Sequence, residues 1–410
     1  MTDHAALRRR LSRIGARRRH IMPPPAPRTQ LVFPAGAEIP TPHGNAYRID
    51  RSYTGDLLHG RSRLVDLFSV EMDLAAELAA APTLQFAGQE HLVFLDTETT
   101  GLAGGAGTLV FLVGVGIISG GEFHLRQYFL RHPDEEPAML HALQEDLERA
   151  GAFITFNGRS FDLPLLEMRY GMGLRRTWPL HRSPHVDLLG ASRRLWRRSL
   201  PDCSLGTIER RVLRVVRSEA DVPGELIPSL YLEYLRSGRT EDMARVLYHN
   251  ALDVLSLVAL LSHVIDLHRA PQVPRLSPPE ALAMARWHAR AGRQDTADAA
   301  FQRALETDEA DLQTETLRRL TEHLKQSGRQ ADAVEPWRRW HALAPEDPRP
   351  CLELAKYFEW EALDLGEARA WAERARGCLE GWPRGWRRDA VRGLIQHRLA
   401  RLMRKLSLVA

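Results

Sequence analysis

The sequence predicts a mixed α/β domain followed by an all-α region. Three observations carry this expectation. Short β-branched apolar runs alternate with helical periodicity from about residue 90 to 268. A Gly120-Gly121 dipeptide separates two strand-like runs, as a hairpin turn would. Beyond Pro279 the pattern is helical throughout, with a recurring glycine.

Composition bounds the answer first. At 410 residues the chain exceeds one typical core, and two or three domains are expected. Hydrophobic content of 44% and charged content of 26% are ordinary for a soluble protein, so the net charge of +4 matters less than where the arginines sit. Cys203, Cys351 and Cys378 lie far apart with no CxxC pair, which argues against a disulfide framework or a zinc site. The basic N-terminus runs into prolines instead of an apolar segment, and the apolar run Leu109 to Ile118 is too short to span a bilayer. A soluble, cytoplasmic protein without membrane association is expected.

Residues 1–30 carry seven arginines between Arg8 and Arg19, then Pro23, Pro24, Pro25 and Pro27, and read as a flexible arm. Residues 31–89 read as an extension packing on the next domain, with turns at Gly44, Gly55 and Gly60 and a helix over Leu64 to Ala80.

The stretch His91 to Gly101 organises the α/β domain. Leu92, Val93, Phe94 and Leu95 form a buried strand that ends in Asp96, Thr97 and Glu98. Side chains at i and i+2 leave one face of a strand, so Asp96 and Glu98 project together about 7 Å apart, near enough to share Mg²⁺ or Mn²⁺. A plain turn closing at Gly101 is the alternative.

Thr108 to Ile118 and Glu122 to Leu130 then pair as the hairpin, Ala138 to Ala150 is a helix, and Ala152 to Phe156 is a second buried strand. Asn157-Gly158 turns the chain into a helix whose first turn holds Asp162 at the sheet edge, as a third carboxylate or as an ordinary helix-start residue. Between Arg169 and Arg217 there are twelve arginines against Asp187, Asp202 and Glu209, with Tyr170, Trp178 and Trp196 interspersed. Such a cluster suits a phosphate-tracking groove with aromatic stacking. Asp187 reads as an accessory ligand or a structural aspartate. In the strongly periodic helix around Tyr248 to Leu260, His249 and Asp253 are four apart and share a face, so a carboxylate for metal and an imidazole for a proton lie together.

Taken together, DTET from Asp96, FNGRSFD closing on Asp162 and HNALDV containing Asp253 resemble the three motifs of the DEDD 3′–5′ exonucleases of the ribonuclease-H-like superfamily. The wording of these motifs, with SLGTIERRVL from Ser204, is most similar to the YprB-type predicted exonucleases of bacteria. The resemblance spans roughly residues 90–268 and implies a ribonuclease-H-like mixed sheet flanked by helices. It implies two divalent cations, Mg²⁺ or Mn²⁺, held by Asp96, Glu98, Asp162 and Asp253, and in-line hydrolysis of phosphodiesters. Family branches place a tyrosine four residues, or a histidine five residues, before the last aspartate. Here His249 is four before and Tyr248 five before Asp253, so neither branch is matched, and helix geometry favours His249 as the base. Thr97, Asn157, Arg159, Arg193 and Arg197 are the candidate nucleic-acid contacts.

Residues 269–279, with Pro271, Pro274, Pro278 and Pro279, read as a linker. Over 280–410, Gly292 precedes Ala297, Phe301 and Ala304, and Gly328, 36 residues later, precedes Ala333, Trp337 and Trp340. A weaker third unit stands around Gly366, with Trp382, Trp386 and the tail Arg387 to Lys405 as a cap. This region resembles tetratricopeptide repeats, with a plain helical bundle as the alternative, and implies a protein partner or a longer nucleic-acid path. The expected activity is a metal-dependent 3′–5′ exonuclease on single-stranded DNA or RNA ends. Its rivals are a structure-selective endonuclease and a binding scaffold without catalysis.

Overall fold

A computed structural model describes residues 31–101 and 107–409. The arm expected over residues 1–30 lies outside the described residues. Seven strands make one mixed sheet: β1 Ala37–Thr41, β2 Gly44–Tyr53, β3 Leu92–Thr99, β4 Val110–Ser119, β5 Glu122–Phe129, β6 Ala152–Thr155 and β7 His185–Asp187. Their order across the sheet is β1-β2-β5-β4-β3-β6-β7. The first five in that order pair antiparallel, and β6 and β7 add parallel to β3. Gly120 and Gly121, at φ 61° and 80°, close the β4–β5 hairpin in the left-handed conformation that the dipeptide requires.

The expected N-terminal extension enters this sheet through β1 and β2. Pro40, on the edge strand β1, and the polar text of residues 37–53 hide the strands from a periodicity reading. The helix expected over 64–80 is split into Val65–Phe68 and α1, Met72–Ala79. Ser69 ends the first piece by bonding back to the Asp66 carbonyl through both its N–H and its hydroxyl, and Val70 is buried in the core.

Helices α2 Glu136–Glu148, α3 Asp162–Gly173, α4 Leu188–Trp196 and α5 Ile227–Ser237 flank the sheet. The central helix is α6, Glu241–Leu267. By length and composition α6 is the one helix among the described residues able to cross a membrane, yet 72% of its apolar window is buried inside the fold, where core packing accounts for that apolarity. It reaches the sheet because β4 carries Gly114 and Gly116 beneath it. A Cβ on Gly114 would stand 2.4 Å from the Asn250 Oδ1, and one on Gly116 would stand 2.3 Å from Phe123 and 2.9 Å from Val254.

The stretch expected as a linker is ordered: a helical turn over Ala270–Arg275 leads into Leu276, which is buried with Val273. Ser277 and Glu280 then form a capping box that starts α7, Pro278–Arg290. The remaining helices are α8 Gln294–Ala304, α9 Ala310–Gln326, α10 Val334–Leu343, α11 Pro348–Trp360, α12 Leu365–Gly377 and α13 Trp386–Val409. One continuous apolar core runs from Phe94 and Val254 under the sheet to Phe301, Trp337 and Leu402, so the helical region is packed onto the sheet domain. The last helix is fixed by the buried Glu359 carboxylate, which holds Arg398, Arg401 and Lys405 at 2.6–2.9 Å.

Gly114→Ala tests the close approach of α6, because the atoms nearest its Cβ all belong to Asn250 and Val254 of that helix. Overpacking there is expected to cost about 1–3 kcal/mol, read as a lower thermal midpoint. An unchanged midpoint would show that the helix has room to rise.

Candidate active site

The pleat of β3 delivers the first two carboxylates. Phe94, Asp96 and Glu98 share a face, and the register sets Phe94 opposite Gly116, Asp96 opposite Gly114 and Glu98 opposite Leu112. A register shift between Glu98 and Thr99 ends regular pairing beyond the second carboxylate. Because Gly114 has no side chain, α6 brings Asn250 down beside Asp96, and its Nδ2 donates to Asp96 Oδ2 at 2.8 Å. Asn250 is itself oriented by Gln127 of β5, whose Nε2 donates to Asn250 Oδ1 and to the Leu247 carbonyl, both at 2.8 Å.

Asp162 is the first residue of α3, where the helix N-terminus favours a carboxylate. It accepts a 2.5 Å hydrogen bond from Thr97 Oγ1, so the threonine between the two β3 carboxylates ties in the third. On α6, His249 and Asp253 face the same way, with Nε2 of the ring 3.5 Å from Asp253 Oδ2 and 3.9 Å from Glu98 Oε1. Ligand atoms of Glu98, His249 and Asp253 all lie within 4.8 Å of one another. These side chains retain 13–15% exposure, enough to be reached from solvent.

The electrostatics report the same convergence. Burial and the charges of Asp253, Glu98 and Asp162 push the Asp96 carboxyl well above its ordinary range. Glu98 rises to about 8 through burial and the charges of Asp253 and Asp162, against the pull of His249. Asp162 rises to about 6 through burial, opposed by the Thr97 hydrogen bond. Burial works against a charged His249 ring, but Asp221, Asp253 and Glu98 outweigh it and raise the imidazole to about 9. Hard oxygen donors that hold one another toward protonation fit divalent cations, which would neutralise them together.

Four further residues build the site. Asp221 Oδ1 lies 2.8 Å from His249 Nδ1 and orients the ring. Arg217 ion-pairs with Asp253, lies 3.2 Å from Asp221, and is gripped at 2.6–2.7 Å by the buried Glu209, which also accepts from Ser256. Asn250 is the fourth, and it stands inside the HNALD motif one turn before Asp253. Arg217 and Asp221 sit in a loop whose text carries no periodicity, so no local signal marked them.

The other candidates are dispersed. Tyr248 turns from the carboxylates and accepts from Ser218 Oγ at 3.2 Å. Asp187 is a structural clamp: it caps α4 at Leu189 and accepts from the backbone N–H groups of Asn157 and Arg159. Asn157 takes the left-handed conformation at φ 69°, and Arg159 Nη2 donates to the His185 carbonyl. The arginine-rich stretch does not form the single groove at the carboxylates that its composition suggests. Arg169 is buried against Glu136, Arg217 lies inside the site, and Arg193 and Arg197 face the helical region.

Residues 93–265 match the model of the RNase H superfamily. The chain is also 32% identical over 331 residues to the uncharacterized protein YprB of Bacillus subtilis (strain 168), covering 78% of this chain and 76% of that protein. The chain belongs to the YprB family. Its sheet domain carries the RNase H superfamily fold, whose class of activity is metal-dependent nuclease chemistry on nucleic acid.

The raised carboxylates and His249 bind more protons folded than unfolded. Their stabilising contribution is full below the unfolded pKa values and is lost as pH rises through about 8 for Glu98 and about 9 for His249. In EDTA the thermal midpoint is therefore expected to fall across that window, less steeply in Glu98→Gln, and Mn²⁺ is expected to raise it most at the alkaline end. A parent profile no steeper than that of the variant would break the clustered picture.

Proposed function

We propose that this YprB-family chain is a 3′–5′ exonuclease that hydrolyses the ends of single-stranded DNA or RNA. The observation that carries this reading is the gathering of Asp96, Glu98, Asp162 and Asp253 around the end of β3, with His249 facing them. Asp96, Glu98, Asp162 and Asp253 would hold a pair of Mg²⁺ or Mn²⁺ ions. Bound there, such cations would align an attacking water and neutralise charge building on the phosphate.

The chain's own residues do the rest. His249 presents Nε2 toward the reacting centre and takes the proton from water, while Asp221 fixes the ring through Nδ1 and stabilises its charged form. Two of the charges that hold a proton on the ring, those of Glu98 and Asp253, would be offset by cations held there, favouring the unprotonated imidazole that a base requires. Asn250 keeps the Asp96 carboxylate turned inward, and Thr97 does the same for Asp162.

The helical region reads as tetratricopeptide-like. Gly292 and Gly328 take the same left-handed turn, φ 74° and 73°, after α7 and α9, while the third unit uses Leu363 at φ 55°. The packed pairs α7–α8, α9–α10 and α11–α12 support that reading.

Asp96→Asn and Asp253→Asn are each expected to lower Mn²⁺-dependent mononucleotide release from 5′-labelled oligonucleotides by at least about a hundredfold, with the fold retained. A 3′-blocked or circular substrate should survive; its cleavage would make the enzyme an endonuclease. His249→Ala should cost roughly 10²–10⁴-fold in rate and Tyr248→Phe little. A larger loss in the tyrosine variant would move the base to Tyr248.

A further inference from the structure

The arginines that stand away from the carboxylates meet a second set on the helical region. Arg193, Arg194, Arg197 and Arg198 of α4 and the turn after it line a cavity of about 270 Å³ with Arg286 of α7. Its one acidic lining residue is Glu315 of α9, already held at 2.7–2.9 Å by Arg318 and Arg319. Among the described residues, Arg193, Arg197, Arg198, Arg286 and Arg290 have no carboxylate within ion-pair distance. Other arginines of the helical region are paired, Arg293 with Glu77 at 2.6 Å and Arg303 with Glu306. Burial and the neighbouring Arg290 hold the Arg194 guanidinium below its ordinary range, and burial with Arg319 and Arg290 does the same to Arg286. Concentrated positive charge left uncompensated is a polyanion surface.

Specific contacts join the two walls of the groove to each other and to α6. Trp196 Nε1 donates to Glu280 of α7 at 2.7 Å, its ring stacks on His263 at 6.0 Å, and Arg194 lies 5.3 Å over Trp287. His263 is ten residues beyond Asp253 on α6, or about 15 Å at 1.5 Å per residue. A strand whose end lies at the carboxylates would need only a few further nucleotides to span that distance.

We propose that the groove between α4 and α7 binds the phosphate backbone of single-stranded nucleic acid, making the helical region one wall of the substrate path. The proposal rests on the nuclease reading for its choice of polyanion. Guanidinium groups on both walls meet successive phosphates without reading bases, so binding is sequence-tolerant and salt-dependent.

The test is fluorescence anisotropy of single-stranded oligonucleotides of about 20 and about 4 nucleotides on the full chain in EDTA, with Mn²⁺-dependent cleavage assayed in parallel. Arg286→Glu/Arg290→Glu is expected to weaken binding of the longer oligonucleotide by roughly tenfold or more and to reduce the slope of log K against log salt by about 1.4, near 0.7 per lost contact. Cleavage of the shorter oligonucleotide should change little. Arg338→Glu/Arg339→Glu, an equal charge reversal on exposed positions of α10 outside the groove, controls for net charge and is expected to leave affinity near that of the parent. Equal affinity in the parent and the groove variant, or equal losses in both reversals, would overturn the proposal while cleavage kept the nuclease reading alive. Loss confined to the groove variant in a protein that never cleaves would sustain the surface and sink the exonuclease.

Discussion

Gathering like charges around one strand end is the constraint on which the rest of this structure depends. Carboxylates in a partly desolvated pocket repel one another, and left alone they would splay or stay protonated. The fold answers with fixed partners for three of the four. Asn250 takes Asp96, Thr97 takes Asp162, and Arg217 takes Asp253 while anchored on the buried Glu209. Each partner belongs to a different element from the carboxylate it holds, so the site exists only when strand, helix and loop are assembled.

The approach of α6 makes that assembly possible. Two glycines on β4 flatten the sheet surface where the helix crosses, and the relay from Gln127 through Asn250 to Asp96 then spans strand, helix and strand. Such a relay has one arrangement that satisfies every donor and acceptor, which fixes the rotation of α6 and therefore the direction of His249 and Asp253. Asp221 completes the division of labour on the other side of the ring, leaving Nε2 turned toward the cluster.

The helical region is bound into this scheme by packing. The apolar core continues from beneath the sheet into the paired helices, and Trp196 is shared between α4, α6 and α7. A packed join of this kind fixes where the helical region sits relative to the carboxylates, which a flexible tether could not do. The arginines of α4 and of α7 are far apart in the chain, and neither set alone forms a groove.

Much of the fold was legible in the chain. The strand ending at Asp96 and Glu98, the Gly120-Gly121 hairpin, the helix opening on Asp162 and the shared face of His249 and Asp253 arise from periods of 2 and 3.6 residues, which are local properties. The edge strand β1 and its neighbour β2 escaped because their residues are largely polar and β1 carries Pro40, and the break at Ser69 escaped because one side-chain turn outweighed helical periodicity. By itself, then, the sequence determined which carboxylates reach the sheet edge and on which side of their own element they stand. Only the tertiary structure decided that Arg217, Asp221 and Asn250 hold them, that Tyr248 turns away, and that two distant arginine sets face each other. Those relations act through space between segments with no shared period, and they come into being when α6 settles over Gly114 and Gly116.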